Sequence, residues 1–286
     1  MSKLISANFS RLFKSFIFKL YMAFSCGLSA FVALMRYIDV KKNWEAYKEL
    51  SAEYRCVDGI AFVGAIYLLF AVAVFVGIFI GADYSDGTIR NKMMVGHTRT
   101  EIYFSNLLVC TVANAMALLL NIIVMLTLGG ILCGIAALTV KSVLLTMLYM
   151  LLAFTALTAI ALAVSMLIQS KAAGSVTLLI MAIVLFCATL TIDNKLRAPE
   201  YYEGKMYLDE ETGEIIEGET TKNPNYLTGT KRKVYEFFND VLPSSQFYRL
   251  ALQEDTSHVR MVVGDLAIIA LFTGMGITVF RKKDLK

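Results

Sequence analysis

G-A-D-Y-S-D-G-T-I-R-N-K-M-M-V-G-H-T-R-T-E-I-Y-F-S-N-L, from Gly81 to Leu107, is a polar segment between two long apolar ones. No residue between Asp58 and Asp83 is charged, and none between Glu101 and Lys141. Uncharged runs of this length exceed the roughly 18 residues that suggest a membrane crossing. The polar segment must therefore leave one membrane span and begin the next at the same membrane surface.

The segment carries the signals of a short ordered helix. Asp86 or Thr88 is placed to cap its start, and Ile89 and Met93 lie at i and i+4 on one face. Gly96 is placed to end the helix in the left-handed conformation that glycine tolerates best. The sequence predicts a surface helix with one apolar face, followed by a sharp stop.

The composition is that of a membrane protein. Of the 286 residues, 57% are hydrophobic and 17% are charged, and the mean hydropathy is +0.63. Soluble domains carry about 25% charged residues. We predict an all-α integral membrane protein, a single transmembrane domain of residues 1–286, with six spans. The predicted spans lie at about 20–36, 60–82, 102–134, 142–168, 172–192 and 262–280.

The distribution of basic residues predicts the orientation. With the N-terminus inside, the inner segments hold twelve lysines and arginines against four acids, and the two larger outer segments are neutral or acidic. Because positive charge accumulates on the cytoplasmic side, both termini are predicted to be cytoplasmic. The inner basic surface suits anionic lipid headgroups, so the lipid bilayer is a predicted partner.

The N-terminal residues 1–19 are predicted to form an amphipathic helix. From Leu4 to Leu20 the apolar residues recur at helical spacing, while Lys3, Arg11 and Lys14 lie on other faces. Such a helix lies in the headgroup layer and bends into the first span. The alternative is one long first span whose lysines extend to the interface.

The third apolar run, 102–140, begins with a capping box, in which Thr98 precedes Glu101 by three residues. At about 1.5 Å per residue the run is longer than one crossing of a core of about 30 Å. We expect the helix either to project from the membrane or to break near Gly129–Gly130 and Gly134.

Polar residues within the spans are candidates for helix interfaces or for a translocation path. Buried amides and hydroxyls usually join membrane helices, and an intramembrane acid is a functional candidate by default. Because Asp265 lies near the predicted outer edge of the last span, a water-facing or capping role is favoured for it. The candidates are Asn114, Asn121, Thr155, Thr158 and Asp265.

The largest soluble segment, 193–260, is predicted to be extracellular. Residues 209–219 are expected to form a hairpin that turns at Thr212-Gly213. Farther along, V-L-P-S-S-Q-F (241–247) indicates two short helices separated at Pro243, either half-inserted before the last span or forming a small subdomain on the membrane surface.

The chain lacks the sequence motifs of nucleotide binding, of serine hydrolases and of dithiol redox or metal sites. It has no G-x-x-x-x-G-K-[ST] phosphate loop, no G-x-S-x-G and no C-x-x-C. Its two histidines, His97 and His258, are predicted to lie on opposite sides of the membrane, and its five cysteines suggest no disulfide pair. We therefore expect no catalytic residues, no metal site, no cofactor on this chain and no nucleic-acid partner.

The opening segment also resembles a known family. D-G-T-I-R-N-K followed by G-H-T-R-T-E-I-Y-F-S-N is similar to the cytoplasmic segment between spans two and three of ABC-2-type transporter permeases, with the pattern E-x-x-x-G-T-I-R-N-K-x-x-x-G-x-x-R. This chain departs from it in two places. Asp83 or Tyr84 stands where many members carry Glu, and Asn106 stands where many carry Lys. Physical reasoning alone also permits an ordinary basic loop.

The resemblance implies a function. The chain would be the non-catalytic membrane subunit of a bacterial ABC exporter in the plasma membrane, and segment 83–101 would couple it to a separate ATPase. Two copies of the chain would pair with two ATP-binding subunits, which carry the ATP and Mg. The expected coupling residues are Asp86, Gly87, Thr88, Ile89, Arg90, Asn91, Lys92, Met93, Gly96, Arg99 and Glu101.

The substrate is weakly specified. The outer segment and the apolar spans favour amphipathic, antimicrobial or toxin peptides over polysaccharides. Two other classes of function stay open: a secondary transporter driven by an ion gradient, and an immunity-type membrane protein that binds a ligand through its outer segment without transporting it.

Overall fold

Six long apolar helices dominate the chain. The computed structural model describes residues 1–202, 206–208, 215–217, 220–254 and 257–283. Within these ranges, six helices are long and apolar enough to cross a membrane. The chain is therefore an all-α, multi-pass membrane protein, as its composition predicts.

The first half of the chain contains an N-terminal helix, spans 1 to 3 and several short helices. Its elements are α1 (Ser2–Lys14), α2 (Phe16–Lys42), α3 (Trp44–Tyr47), α4 (Ala52–Arg55), a 3₁₀ turn (Asp58–Ile60), α5 (Val63–Ser85), α6 (Thr88–Met94), α7 (Arg99–Val124), a π-helical turn (Met125–Gly129) and α8 (Gly130–Cys133). Spans 1, 2 and 3 are α2, α5 and α7, and α7 continues through the π turn into α8.

The second half contains spans 4 to 6 and the large polar segment between spans 5 and 6. Its elements are α9 (Val140–Ile168), α10 (Lys171–Arg197), β1 (Tyr201–Tyr202), β2 (Met206–Leu208), β3 (Ile215–Glu217), β4 (Thr221–Lys222), α11 (Gly229–Val241), α12 (Pro243–Ala251) and α13 (His258–Lys282). Spans 4, 5 and 6 are α9, α10 and α13.

Spans 2 and 4 form the centre of the bundle. In their most apolar windows 67% and 61% of the residues are buried, against 17% and 22% for spans 5 and 6. Span 2 packs most extensively along span 5, and span 4 along span 6. The apolar core is therefore built around α5 and α9, and the outer spans leave broad apolar surfaces uncovered.

Two glycines explain how closely spans 2 and 5 approach. A Cβ atom on Gly77 would lie 2.6 Å from Ser175 Cα, and one on Gly81 would lie against Lys171 Cα. Gly77 and Gly81 are four residues apart, so both lie on one face of α5. This small-xxx-small spacing allows two helix backbones to meet within the bundle.

Both chain ends approach the same face of the bundle, which we call the terminal face. It comprises α1, residues 86–98, the short turn at Gln169–Ser170 and the end of α13. The opposite face comprises residues 43–57, 134–139 and the described parts of 198–257.

The N-terminal helix ends earlier than predicted. It stops at Lys14, Ser15 adopts an extended conformation (φ −67°, ψ 129°), and span 1 begins at Phe16. The predicted boundaries, a helix over 1–19 and a span from 20, are therefore wrong by about five and about four residues. The break separates the N-terminal helix from span 1. The alternative prediction, one long first span that includes these residues, required a continuous helix.

Span 3 changes its helical winding near its end. The α-helix becomes a π turn over Met125–Gly129, resumes at Gly130 and ends at Gly134 (φ 79°). A Cβ on Gly129 would lie 2.6 Å from a methyl carbon of Val57. The predicted irregularity near Gly129–Gly130 and Gly134 is confirmed, and its place coincides with tight packing against the loop that precedes span 2.

The two short helices before span 6 are confirmed, and α12 inserts between the spans. Pro243 is the first residue of α12, whose side chains are buried against α5, α9 and α10. The Phe247 ring lies 4.2 Å from that of Phe154, midway along span 4. These contacts favour the half-inserted arrangement over a separate surface subdomain.

The polar segment between spans 5 and 6 contains the predicted hairpin pairing. β2 and β3 pair antiparallel, with Met206 opposite Glu217 and Leu208 opposite Ile215. The predicted turn at Thr212-Gly213 lies outside the described residues. A second pair, β1 with β4, closes the base of the hairpin.

Candidate functional site

The polar segment between spans 2 and 3 folds much as its sequence predicts. The short helix α6 buries Ile89, packs Met93 against the core and stops before Gly96, which has φ 98°. The amide of His97 donates to the carbonyl of Lys92 at 3.2 Å, which completes the left-handed stop.

Of the two predicted helix caps, the one at the start of α7 is confirmed and the one at the start of α6 is wrong. Thr98 and Glu101 form the predicted capping box, in which the Thr98 amide donates to Glu101 Oε2 at 3.0 Å. At the start of α6, however, neither Asp86 nor Thr88 caps. Gly87 occupies that position with φ 67°, and no side chain there accepts a capping hydrogen bond.

Thr88 is the first residue of α6 rather than its cap, and its hydroxyl donates to Asp83, a fully buried carboxylate at the end of span 2. Lys92 Nζ donates to Asp83 Oδ2 at 3.0 Å and to Oδ1 at 3.2 Å. The guanidinium of Arg11 forms an ion pair with the same carboxylate. Asp83 therefore binds both ends of α6 to span 2 and attaches α1 to the same point.

An amide and a hydroxyl extend this cluster to span 3. Asn106 Nδ2 lies 3.4 Å from Asp83 Oδ2. Asn8, on α1, donates to Ser105 Oγ at 2.7 Å and to Asn106 Oδ1 at 3.0 Å. The resulting Asp83 cluster joins α1, α5, α6 and α7, and it consists of Asn8, Arg11, Asp83, Thr88, Lys92, Ser105 and Asn106.

The electrostatics of the cluster are unusual because one carboxylate serves two cations. Burial lowers the pKa of Arg11 to about 10, which leaves its guanidinium protonated at neutral pH. Burial and then the charge of Arg11 lower the pKa of Lys92 to about 7, while the Asp83 carboxylate favours the protonated amine. The guanidinium of Arg11 also stacks 4.0 Å from the centre of the Phe79 ring.

The other side of α6 faces away from the bundle. Arg90 and Asn91 are exposed, and Met94 and Val95 are 77% and 79% exposed. Two such apolar side chains beside an arginine at the end of a helix form a small amphipathic surface. We call this surface, Arg90, Asn91, Met94 and Val95, the α6 outer surface.

Two further predicted coupling residues make contacts within the chain. The guanidinium of Arg99 donates to the carbonyls of Phe280, at 2.6 Å, and of Lys283, at 2.5 Å. These carbonyls belong to the last turn of α13, which has no helical donor for them. Glu101 closes its capping box and lies 3.6 Å from the N-terminal amine. The polar segment is thus attached to the end of span 6 as well.

Among the intramembrane candidates, the amides lie at helix interfaces. Asn114 accepts from the Tyr21 hydroxyl at 3.1 Å and donates to Thr158 Oγ1 at 2.7 Å, which joins spans 1, 3 and 4. Asn121 donates to the carbonyl of Ser25 in span 1 at 3.2 Å. Both side chains are buried. This is the arrangement in which buried amides join helices.

Thr155 and Asp265 differ from these amides. Thr155 donates to the carbonyl of Leu151 one turn earlier in its own helix, at 2.8 Å. Asp265 lies about two turns into α13 and is 1% exposed, and its Oδ1 has no hydrogen-bond partner within the described residues. The water-facing or capping role predicted for Asp265 does not agree with a side chain that is almost fully buried.

Of the seven residues in the Asp83 cluster, sequence reasoning named only Thr88 and Lys92 as site residues. It placed Arg11 on a face of α1 other than the apolar one, and it did not consider Asn8 or Ser105. One signal for Asn8 was present: Leu4, Asn8 and Leu12 are spaced at i, i+4 and i+8, and all three are buried. A polar residue within an apolar stripe needs a partner from another helix.

The described residues contain no group of three or more His, Cys, Asp or Glu side chains arranged to hold a metal ion. A comparison of the sequence with models of known protein families found no match. A comparison with curated proteins found no significant match.

Proposed function

We propose that this chain is the membrane-spanning permease subunit of an ABC exporter, powered by ATP that a separate subunit hydrolyses. The observation that carries the proposal is the construction of α6. One side of this helix is attached to spans 2 and 3 and to α1 through the Asp83 cluster, while the α6 outer surface stays uncovered.

A helix built in this way is suited to transmit force. Because Lys92 and Thr88 both bind Asp83, α6 cannot move without displacing the end of span 2. Arg99 connects the same segment to the end of span 6. A partner that pushes on the α6 outer surface would therefore act on several spans together, as a switch between two packed states requires.

In the proposed assembly two copies of this chain pair with two ATPase subunits in the cell membrane, with the terminal face in the cytoplasm. The cargo we favour is an amphipathic, antimicrobial or toxin peptide, because the spans are apolar and the outer segment is large. ATP and Mg would be bound by the partner subunits. This chain would supply the translocation path through the membrane and the helix α6 on which the ATPase docks.

The test is co-purification of this chain with a candidate P-loop ATPase subunit from the same cell. R90E combined with M94D alters only the α6 outer surface, so we expect the yield of complex and its ATPase activity to fall about tenfold, as for a loss of interface hot spots. Lys92 is unsuitable for this test, because K92E would place a second acid beside Asp83.

K3E is the matched control, since Lys3 is an exposed basic residue of the terminal face outside α6. K3E should leave the complex and its ATPase activity unchanged. If the R90E/M94D variant assembles and hydrolyses ATP like the wild type, the docking role of α6 is wrong.

One observation favours a second candidate, an ion-gradient-driven transporter. Asp265 is a buried acid within span 6, and its Oδ1 has no partner in the described part of the chain. Such acids bind or relay ions in secondary transporters. Substrate flux in proteoliposomes that lack any ATPase, driven by a proton gradient and abolished in D265N, would establish this candidate over the exporter.

A further inference from the structure

A basic pocket lies on the terminal face, where α1 turns into span 1. It has a volume of about 420 Å³, and its charged lining residues are Arg11, Lys14, Lys171 and Asp86. Three cations therefore face one carboxylate. Lys14 and Lys171 are exposed, and neither forms an ion pair among the residues that the structure describes.

The Asp83 cluster leaves part of Arg11 available to this pocket. Only one nitrogen of its guanidinium pairs with Asp83, and its Nε and Nη2 are buried without a hydrogen-bond partner among the described residues. Buried cationic donors without partners are costly, so a ligand that supplies anionic oxygens at this point would be stabilised there.

An apolar groove continues from the basic pocket along the membrane-facing side of the bundle. The two share Ile17 and Ile78, and the groove has a volume of about 380 Å³ between spans 1, 2 and 5. It is lined by aliphatic and aromatic side chains, among them Leu20, Phe24, Phe70, Val74 and Leu179.

The length of the groove matches one membrane leaflet. From Ile78 to Phe70 the helix rises about 12 Å, at 1.5 Å per residue. Half of a hydrocarbon core of about 30 Å is about 15 Å, so the groove runs from the basic pocket towards the bilayer centre over most of one leaflet.

We propose that the basic pocket and the apolar groove together bind one anionic phospholipid of the leaflet on the terminal face. The phosphate lies between Arg11, Lys14 and Lys171, and one acyl chain lies in the groove along span 2. A second copy of this chain would cover the groove but would leave the cations without anionic partners, whereas a phospholipid satisfies both parts. This inference does not depend on the permease assignment.

The lipid would also have a structural consequence. Its phosphate would contact Arg11, which binds Asp83, and would lie beside Lys171 at the start of span 5. Anionic lipid would therefore hold α1, span 2 and span 5 together at the surface where α6 is attached.

The test measures binding of dioleoyl phosphatidylglycerol to the detergent-purified protein by native mass spectrometry. We expect wild type to bind this lipid more tightly than dioleoyl phosphatidylcholine, which carries no net charge. K14Q/K171Q should weaken phosphatidylglycerol binding by about thirtyfold, from the loss of two lysines at an anionic headgroup. K3Q/K282Q removes the same charge from exposed positions of the terminal face outside the pocket and should change the affinity little.

A second variant tests the groove separately. V74W fills the groove without changing its charge, so it should weaken binding of the lipid although Lys14 and Lys171 are still present. In wild type, a phosphatidylglycerol with a photoreactive group in its acyl chain should cross-link to spans 1 and 2 near Phe24 and Phe70.

Three outcomes would overturn the proposal. The first is equal affinity of K14Q/K171Q and K3Q/K282Q for phosphatidylglycerol. The second is displacement of the lipid by millimolar inorganic phosphate, which would identify a site for a free anion. The third is efficient F24C–F24C disulfide formation between two copies in phosphatidylglycerol bilayers, which would show that a second chain covers the groove.

Discussion

At the scale of single residues, Asp83 determines how the terminal face is built. Its carboxylate is fully buried and accepts hydrogen bonds or ion pairs from α1, α6 and α7. Removing one partner of a buried ion pair leaves an uncompensated charge, and here a single change would leave two.

We expect D83N to lower the free energy of unfolding by about 3–5 kcal/mol, because Arg11 and Lys92 would then be buried without an anion. Unfolding in detergent, followed by circular dichroism during titration with a denaturing detergent, measures this change. D86N is the matched control, because Asp86 is exposed and should change the stability by no more than about 0.5 kcal/mol.

The double variant D83N/K92M checks the cause. Methionine removes one of the two uncompensated cations, so the double variant should be more stable than D83N alone. If D83N is as stable as D86N, or if K92M adds its own full destabilisation, the carboxylate does not hold the cluster together.

At the scale of elements, spans 3 and 6 meet through a glycine and a tyrosine. The Tyr103 side chain of α7 is fully buried and donates to the carbonyl of Phe272 at 3.3 Å. A Cβ atom on Gly276 would lie 2.6 Å from the Cε2 and Cζ atoms of that ring. The contact between the two helices therefore depends on the absence of a side chain at position 276.

We expect G276A to destabilise the protein by about 1–3 kcal/mol, because the rigid ring of Tyr103 must move to admit the methyl group. Thermal unfolding of the purified protein measures the effect. G274A provides the control on the same helix, since nothing lies within 4 Å of a Cβ at Gly274. This second substitution should be neutral or slightly stabilising, because alanine favours the helix over glycine. Equal effects of the two variants would mean that α7 and α13 do not pack as described.

At the scale of the whole molecule, the orientation in the membrane follows from charge. The terminal face carries Lys3, Lys14, Arg90, Lys171 and Lys282, and the opposite face carries the larger neutral or acidic segments. Because lysine and arginine are retained on the cytoplasmic side, the terminal face should lie there.

Labelling of single cysteines tests this orientation in a background that lacks the five native cysteines. A cysteine at Arg90 should react with an impermeant maleimide only after the cells are permeabilised. A cysteine at Lys231, on the opposite face, should react in intact cells. Labelling of position 90 in intact cells would show that the terminal face lies outside the cell. A cytoplasmic ATPase could then not bind α6.

Features set by residues close together in the sequence could be predicted, whereas features set by contacts between distant residues could not. The six spans, the capping box at Thr98 and Glu101 and the stop at Gly96 all follow from residues within a few positions of one another, and all are present. The cap of α6 and the exact end of α1 were predicted wrongly. Gly87 takes the cap position of α6 in a left-handed conformation, which places Thr88 inside the helix, and at Ser15 the chain turns where α1 packs on α7.

The sequence by itself determined that the chain has six helices able to cross a membrane and a short basic helix between the second and third, because uncharged runs and local caps need no distant partner. Only the tertiary structure decided which polar residues meet. Asn8 and Arg11 are about 70 to 100 residues from Asp83 and Ser105, and no periodicity links them. Their pairing follows from the cost of burying a charge or an amide alone, and that cost depends on which helices pack together.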